Sequence, residues 1–437
     1  MLKGFRAELV CAPEDPSRAG RESVVHIPDG LLVVEDGLVV ARGAHAEIAG
    51  RFGGIEIESF PHGLLAPGFV DVHAHYPQTE QLAAYGVQLL DWLDQHIFPA
   101  EAAFADRPHA DRIAALFLDE LLRHGTTTAL VFATVHETSV DALFEAALAR
   151  NMRIVSGKVL MDCGPPDLSD TAESGRLQTE TLIRRWRGRG RLGYAVTPRF
   201  ALTSSADQLA AAGEVLHAHP DALLHTHLAE NRAEVGAVCA RFPEAKDYLD
   251  VYDRFGLVGP RSVFAHAIHM DHRSMGRLGE AGAGIAFCPT SNLFLGSGLF
   301  DLKLADAHGV KVGVGTDVGA GTSFSLLRTL GEAYKVCQLQ GLTLDPFRAL
   351  HMATAGGARV LGLQDRIGSL ETGQEADFVV LDGSQIPLFG AWTVDRPLQQ
   401  RLFALQILGD DRAIARTYIA GELAYARSAS GQSRAAS

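Results

Sequence analysis

The feature that most constrains this chain is an alternation of apolar, strand-like runs with amphipathic, helix-like segments, which begins near Pro67 and continues through the centre of the sequence. Asp111–Arg123 is one such helical segment, with Gly125 as its stop signal. Its apolar residues recur at helical spacing: Ile113, Leu116, Phe117 and Leu121. Repeated strand–helix units favour either a parallel (β/α)8 barrel or a doubly wound sheet, because parallel strands need long crossover connections.

The strand-like runs of this central region have helical material between most of them. They are Thr126–Phe132, Arg153–Leu160, Leu192–Thr197, Ala222–His227, Ser262–His266, Gly284–Cys288 and Lys311–Thr316. Each is apolar and short enough for a buried strand of a parallel sheet.

Both flanks of the chain carry short strands and tight turns instead. Leu31–Val34 and Leu38–Ala41 enclose Asp36-Gly37, a strong hairpin signal, and a second turn is expected at Pro61-His62-Gly63. Strands return at Ala376–Leu381 and in a further predicted hairpin near the C-terminus. The simplest arrangement is a (β/α)8 TIM barrel over residues 67–369, with residues 1–66 plus 370–437 forming one small β-sandwich domain.

Composition limits the possible partners and the compartment. The formal net charge of −13 disfavours nucleic acid and anionic membranes, both of which reward clustered Lys and Arg. The segment Met1–Glu22 has no long apolar run, and the five cysteines form no CxxC pair. We therefore expect a cytoplasmic protein that acts on a small molecule.

Histidines follow the first predicted barrel strand, in the motif His73-Ala74-His75. Side chains of a strand alternate with a period of two residues, so both imidazoles point to the same face. A pair of this kind is half of a metal site, although isolated histidines are often part of a core or a surface.

Three later strands also end in ligand-type residues: His225-Thr226-His227 with Glu230 three positions on, then His266, then Asp317. Each has an ordinary explanation by itself, such as a helix N-cap for the aspartate. In a TIM barrel, however, the carboxyl ends of the strands converge on one mouth. Three imidazoles and a carboxylate there would suit Zn²⁺ or Fe²⁺, with one position left for water.

These candidate metal-site residues and their order make the chain resemble the amidohydrolase superfamily. Pro67–His75 is similar to the opening motif of that superfamily, and His227, His266 and Asp317 match the order of its later metal-site residues. The resemblance covers nearly the whole chain and implies a TIM barrel with a β domain built from both flanks.

A narrower resemblance is to the guanine deaminases within that superfamily. It rests on segments in family order: Gln78, Leu90–Leu93, Phe98–Glu101, Gly157–Asp162, Thr197–Phe200, His227–Arg232, Cys288–Asn292 and Thr316–Ser323. The resemblance implies hydrolysis of guanine to xanthine and ammonia, and a homodimer.

The resemblance also implies a role for each candidate residue. The metal ligands are expected to be His73, His75, His227 and Asp317. Glu230 is expected to shuttle protons, Asp317 to accept the proton of the attacking water, and His266 to orient the hydroxide. The expected purine contacts are Gln78, Arg199 and Phe200.

One metal ion is expected, because Gly193–Arg199 lacks the lysine that a two-metal centre of the superfamily carries on a middle strand. We expect zinc, with iron as the alternative. Other functions stay open at this point: deamination of another purine, a pyrimidine or a triazine, or a barrel that serves only as a scaffold. A nucleic-acid deaminase would need a PCxxC signature, which Cys288-Pro289 does not supply.

Overall fold

A computed structural model describes residues 2–85, 88–393 and 396–428. Within these ranges no helix has the length and apolar character needed to cross a bilayer. The strands, in chain order, are β1 (Leu2–Cys11), β2 (Val25–Glu35), β3 (Leu38–Ala44), β4 (Glu56–Pro67), β5 (Phe69–His75), β6 (Thr126–Phe132), β7 (Arg153–Gly157), β8 (Val159–Leu160), β9 (Gly193–Pro198), β10 (Leu223–Leu228), β11 (Ser262–His266), β12 (Gly284–Phe287), β13 (Lys311–Val314), β14 (Phe378–Leu381), β15 (Ile414–Ile419) and β16 (Glu422–Ala426).

Helices separate most of the central strands, as the sequence pattern predicts. The longer ones are Arg107–Arg123, Glu137–Ala149, Ala172–Trp186, Ala206–Ala218, Arg232–Arg241, His272–Ala281, Leu326–Leu339, Pro346–Ala353 and Leu398–Leu408. The shorter ones are Pro16–Ala19, His45–Ile48, Leu89–Trp92, Phe98–Ala102, Tyr248–Arg254, Pro289–Phe294, Leu302–Ala307, Ala355–Val360 and Pro387–Thr393, and a π-helical turn spans Leu93–Ile97.

The central strands form a parallel barrel, which decides between the two folds left open by the pattern. The strand order is β5-β6-β7-β9-β10-β11-β12-β13, and β8 continues the line of β7 beside β9. Two backbone hydrogen bonds join the ends of this order: Asp317 N donates to His73 O (2.8 Å) and His75 N donates to Val318 O (2.7 Å). Apolar side chains of the barrel strands form one buried cluster, so the barrel is a packed core and not a pore.

The flanks of the chain pair into a separate seven-stranded sheet in the order β16-β15-β14-β4-β1-β2-β3. The C-terminal strands join the N-terminal ones where β14 runs antiparallel to β4, with Phe378 opposite Pro67 and Leu381 opposite Leu64. This confirms that both flanks build one β unit beside the barrel. The exact domain limits stay a prediction, and Met1, residues 394–395 and residues 429–437 of the predicted β domain lie outside the described residues.

Two local predictions for the N-terminal flank had different outcomes. The hairpin between β2 and β3 is confirmed, and Asp36 (φ 50°) and Gly37 (φ 84°) both take the left-handed conformation that a tight turn of this kind requires. The predicted turn at Pro61-His62-Gly63 is wrong, because these residues lie within the continuous strand β4. They form a bulge there: Ala7 of β1 pairs with Phe60, and the next residue, Glu8, pairs with Leu64.

We expect Gly157→Ala to destabilise the barrel. Gly157 ends β7, and a Cβ atom at this position would lie 1.8 Å from the backbone oxygen of Ala195 in the neighbouring strand β9. Because strand pairing leaves that oxygen no room to move, we expect a loss of at least about 1–3 kcal/mol in the free energy of unfolding. Thermal or denaturant unfolding measures it. Gly50→Ala is the matched control, since its Cβ would meet nothing within 4 Å, and equal stability of the two variants would contradict the prediction.

Candidate active site and metal centre

The carboxyl ends of the barrel strands bring the sequence-predicted site residues to one mouth. His73 and His75 end β5, His227 lies near the end of β10, and His266 ends β11. Asp317 follows β13. All are buried except His227, which is half-buried. The convergence follows from the parallel topology, because every strand of the barrel ends on the same side.

Four side-chain atoms of this cluster stand at the separations that a shared cation requires. His75 Nε2 lies 3.2 Å from His73 Nε2 and 3.2 Å from His227 Nε2. Asp317 Oδ1 lies 3.2 Å from His73 Nε2 and 3.3 Å from His75 Nε2. Ligand atoms held about 2.1 Å from a tetrahedral ion stand about 3.4 Å apart. These four separations match those expected between ligands of one divalent metal ion. His73, His75 and Asp317 offer ligand atoms that all lie within 4.8 Å of one another, as do His73, His227 and His266.

The Nδ1 contacts of His227 and His73 leave the Nε2 atoms of these two imidazoles available for a metal. His227 Nδ1 lies 2.8 Å from Arg199 O, and a carbonyl can only accept, so Nδ1 carries the proton and Nε2 keeps its lone pair. His73 Nδ1 lies 2.7 Å from His225 Nε2, and donation to this second histidine would leave His73 Nε2 in the same state. Such outward hydrogen bonds are typical of metal-bound histidines.

Burial sets the protonation of these ligands. It lowers the pKa of His75 to about 3 and holds the pKa of His227 well below its usual value, so both imidazoles are neutral, as metal binding requires. Burial alone would raise the pKa of Asp317, but the charge and hydrogen bond of His73 and the hydrogen bond of His75 hold it well below its usual value. The site therefore presents His75 and His227 as neutral imidazoles beside one ionised carboxylate.

The strand ends that carry the site are locally strained. Ala229, His266, Ala267 and Asp317 all have positive φ values, between 48° and 71°. Non-glycine residues adopt this conformation at a cost, and they cluster at functional sites. These residues lie at or just after the ends of three strands, β10, β11 and β13, where the site residues Glu230, His266 and Asp317 follow or end the strand.

Glu230 and His266 stand beside the ligand cluster. His266 Nδ1 contacts Asn292 Oδ1 at 2.9 Å, and its Nε2 lies 3.4 Å from Glu230 Oε2 and 3.8 Å from Asp317 Oδ2. Ser297 Oγ donates to Glu230 Oε1 at 3.1 Å. Burial and the negative charge of Asp317 raise the pKa of Glu230 to about 8, against the effect of the Ser297 hydrogen bond. Glu230 thus holds a proton near neutral pH.

Glu234 supports the loop of Glu230 and was not singled out from the sequence. Its Oε2 accepts from the backbone N–H groups of Glu230 (2.9 Å) and Asn231 (3.0 Å), and Tyr248 Oη donates to its Oε1 (2.6 Å). Asn231 and Glu234 form a capping box at the start of the helix Arg232–Arg241. The spacing Asn-x-x-Glu was the available signal.

The expected substrate contacts face the same pocket as the ligands. Gln78, Arg199 and Phe200 line it together with His75, His227, Glu230, His266 and Asp317. His73 lies fully buried beneath them. The pocket thus unites eight of the nine predicted site residues.

Apolar residues complete the pocket wall. Trp92, Leu93 and Ala320 were singled out from the sequence only as parts of longer segments, and Leu89 and Leu295 were not singled out. Leu89, Trp92 and Leu93 come from the short helix and π-turn after β5, and Leu295 and Ala320 come from later loops. A further aromatic contact lies behind the ligands, where the ring of Phe132 at the end of β6 stacks on His75 at 4.5 Å. An apolar wall of this kind excludes water and strengthens the electrostatic interactions inside it.

Comparison with known proteins agrees with this geometry. Residues 64–424 match the model of the amidohydrolase family. The chain is 50% identical over 411 residues to the guanine deaminase of Escherichia coli (strain K12), covering 92% of this chain and 94% of that protein. The chain belongs to the amidohydrolase family, in its guanine deaminase branch.

Solved structures extend the comparison. The structure of E. coli guanine deaminase matches with a TM-score of 0.94 and 46% identity over 98% of this chain and 100% of that one. A guanine deaminase from C. acetobutylicum, solved with guanine bound in its active site, matches with a TM-score of 0.89 and 28% identity over 97% and 100%. An adenosine deaminase from Xanthomonas campestris, solved with bound zinc, matches with a TM-score of 0.84 and 26% identity over 96% and 92%.

The ligand geometry leads to a prediction about metal affinity. We expect Asp317→Asn and His227→Ala to bind a divalent metal at least about a hundredfold more weakly than the parent protein, since even residues that only support metal ligands contribute ten- to hundredfold. Competition with a chromophoric chelator measures the affinity without any assay of turnover. The exposed His272 provides the control variant His272→Ala, which should bind metal normally. Unchanged affinity in both site variants would contradict the assignment.

Proposed function

We propose that this protein hydrolyses guanine to xanthine and ammonia. The observation that carries the proposal is that Gln78, Arg199 and Phe200 line one pocket with candidate metal-ligand and proton-transfer groups: His75, His227, Glu230, His266 and Asp317. Half of the residues aligned with E. coli guanine deaminase are identical, and a related guanine deaminase holds guanine in its active site. Both facts support guanine as the substrate.

We propose His73, His75, His227 and Asp317 as the ligands of one divalent metal. Three nitrogen ligands and one oxygen ligand suit zinc or ferrous iron, and the zinc in the related adenosine deaminase favours zinc. When bound, the cation lowers the pKa of a water molecule and so supplies hydroxide near neutral pH. Every other step is assigned to groups of the chain itself.

The protons of the reaction are assigned to Asp317 and Glu230. One proton of the attacking water passes to Asp317 while oxygen bonds to C2, and Glu230 donates its proton to N3 of the ring. His266, between the two carboxylates, orients the attacking oxygen. The hydroxyl proton on C2 then moves to the exocyclic amine, the C2–N bond breaks, and ammonia leaves. The proton held by Asp317 returns to Glu230, so the cycle closes.

Recognition of the ring is assigned to Arg199, Gln78 and Phe200. The guanidinium of Arg199 is a forked donor that suits the 6-carbonyl oxygen, and the amide of Gln78 can both donate and accept along the ring edge. Phe200 packs against the ring face. Because a buried donor without a partner is costly, a purine without the 6-oxygen should be rejected.

The other functions are less well supported. Deamination of another purine, a pyrimidine or a triazine would use the same metal ligands, but the arginine, glutamine and phenylalanine of the pocket and the close guanine deaminase relatives favour guanine. A scaffold without activity would not need the full set of ligand and proton-transfer groups.

We also propose that the enzyme acts in purine catabolism, as a cytoplasmic homodimer with no nucleic-acid or membrane partner. The acidic net charge supports the absence of nucleic-acid and membrane partners.

The substrate assignment predicts metal-dependent release of ammonia from guanine. Protein purified without chelator should turn over guanine, lose activity on dialysis against a chelator, and regain it with zinc or iron. Ammonia release and the ultraviolet absorbance of guanine report the reaction, with adenine, cytosine and a triazine assayed in parallel. Turnover of another ring in place of guanine would overturn the substrate and leave the metal site in place.

The assignment of Glu230 predicts that Glu230→Gln keeps the metal and loses turnover. The amide cannot carry the proton to N3, so kcat should fall by about 10²–10⁴-fold. Guanine kinetics and metal content are measured on the same preparation. Glu244→Gln, at an exposed position in the turn after the helix Arg232–Arg241, is the control. A Glu230→Gln variant with normal kcat would exclude the proton-transfer role.

A further inference from the structure

We infer that Glu101 is a positioning residue that sets the specificity of the pocket, because it holds Arg199 and Gln78 in the orientation that reads the purine edge without contacting the ring itself. This inference rests on the proposed function, in which those two side chains bind the ring. Glu101 lies in the short helix Phe98–Ala102 and is only 1% exposed. It is not among the residues that line the pocket.

One carboxylate anchors both recognition side chains. Glu101 Oε1 accepts from Arg199 Nη1 at 2.8 Å and from Gln78 Nε2 at 3.1 Å. Glu101 Oε2 accepts from the same Arg199 Nη1 at 2.6 Å. Hydrogen bonds to a charged partner in a dry interior are short and directional, so they fix the two side chains relative to each other.

The contacts of Arg199 decide which of its donors can reach a ligand. Nη1 is taken by Glu101, and the ring of Phe98 lies 5.3 Å from the guanidinium carbon. Among the described residues no other acceptor is hydrogen-bonded to this guanidinium. The donors on Nε and Nη2 therefore remain for a carbonyl group in the pocket.

The contacts of Gln78 fix which end of its amide faces which way. Nε2 donates to Glu101, and Oε1 accepts from the backbone N–H of Gly319 at 3.3 Å. Each end of the amide can still form one more hydrogen bond, because Nε2 has a second hydrogen and Oε1 has a second lone pair. The amide thus presents a donor and an acceptor in a fixed order, as discrimination between ring edges requires.

Glu101 also keeps Arg199 away from the catalytic carboxylates. Glu230, Glu234 and Asp317 line the same pocket as Arg199, and an unpaired buried guanidinium would move to one of them. Pairing with Glu101, which lies outside the pocket lining, neutralises the charge of Arg199. Arg199 then acts as a directional donor to a neutral ring and leaves the proton-transfer groups free.

The test compares Glu101→Gln, Arg199→Met and the double variant with the parent protein, each loaded with metal and checked for metal content. We expect Glu101→Gln to lower kcat/KM for guanine by about ten- to hundredfold, mainly through KM, since small misplacements of binding groups cost this much. The Ki of 2-aminopurine, which lacks the 6-oxygen, should rise by a clearly smaller factor than KM for guanine, because it loses the Gln78 positioning but never uses the carbonyl contact of Arg199.

The double variant separates positioning from general damage. If Glu101 acts largely through Arg199, adding Glu101→Gln to Arg199→Met should lower kcat/KM for guanine by a clearly smaller factor than adding Glu101→Gln to the parent. The double variant leaves neither charge of the pair buried alone, so where a single variant does not fold, the double variant is compared directly with the parent and should discriminate less between guanine and 2-aminopurine. Asp29→Asn, which removes the partner of Arg6 in an exposed pair, is the matched control and should have parental kinetics.

Three results would overturn the inference: parental guanine kinetics in Glu101→Gln, an equal rise in KM for guanine and Ki for 2-aminopurine, or losses that multiply in the double variant. Failure of the proposed function gives a different result, because a metal-loaded parent protein would then not turn over guanine at all.

Discussion

The two backbone hydrogen bonds that close the barrel are made by residues of the candidate metal centre. Asp317 N donates to His73 O, and His75 N donates to Val318 O, so the closing contact sets three proposed ligands side by side. Asp71, buried below them in β5, strengthens the same seam by accepting from the backbone N–H and the hydroxyl of Thr316. The fold and the metal site are therefore coupled. A cation bound at this seam would stabilise the closed barrel, and any loosening of the seam would separate the ligands.

The pocket gives its buried carboxylates different partners, and this separates their roles. Asp317 faces imidazoles, which keep it ionised. Within the described parts of the chain, Ser297 alone donates a hydrogen bond to the Glu230 carboxylate, and burial raises the pKa of Glu230 to about 8. Glu101 is neutralised by Arg199. In the proposed function, acids of one chemical type thus serve as ligand, proton carrier and anchor, and the difference lies in the side chains around them.

The sequence predicts the parts of this site that depend on local pattern. His73, His75 and Asp317 could be placed because each follows an apolar strand, and parallel strands of a barrel all end on one side. The contact between Glu101 and Arg199 could not be derived, since 98 positions separate the two residues and no periodicity links them. Leu116 shows the limit of pattern in another way: it falls at helical spacing with buried neighbours, yet it is 42% exposed because it lies at the edge of the apolar stripe.

The flanking sheet also contributes to the site, although it contains none of its residues. β4 runs directly into β5, and the joint at Gly68 is fixed by its backbone N–H, which donates to Asp377 O at 2.9 Å beside β14. A side chain at Gly68 would collide with Thr127 of β6, where a Cβ would lie 2.2 Å from the hydroxyl oxygen. The C-terminal flank, through the residue that precedes β14, thus holds the start of β5, the strand that presents His73 and His75. A one-residue slip in β5 would turn both imidazoles away from the mouth, so the pairing of the two flanks sets the register on which the metal centre depends.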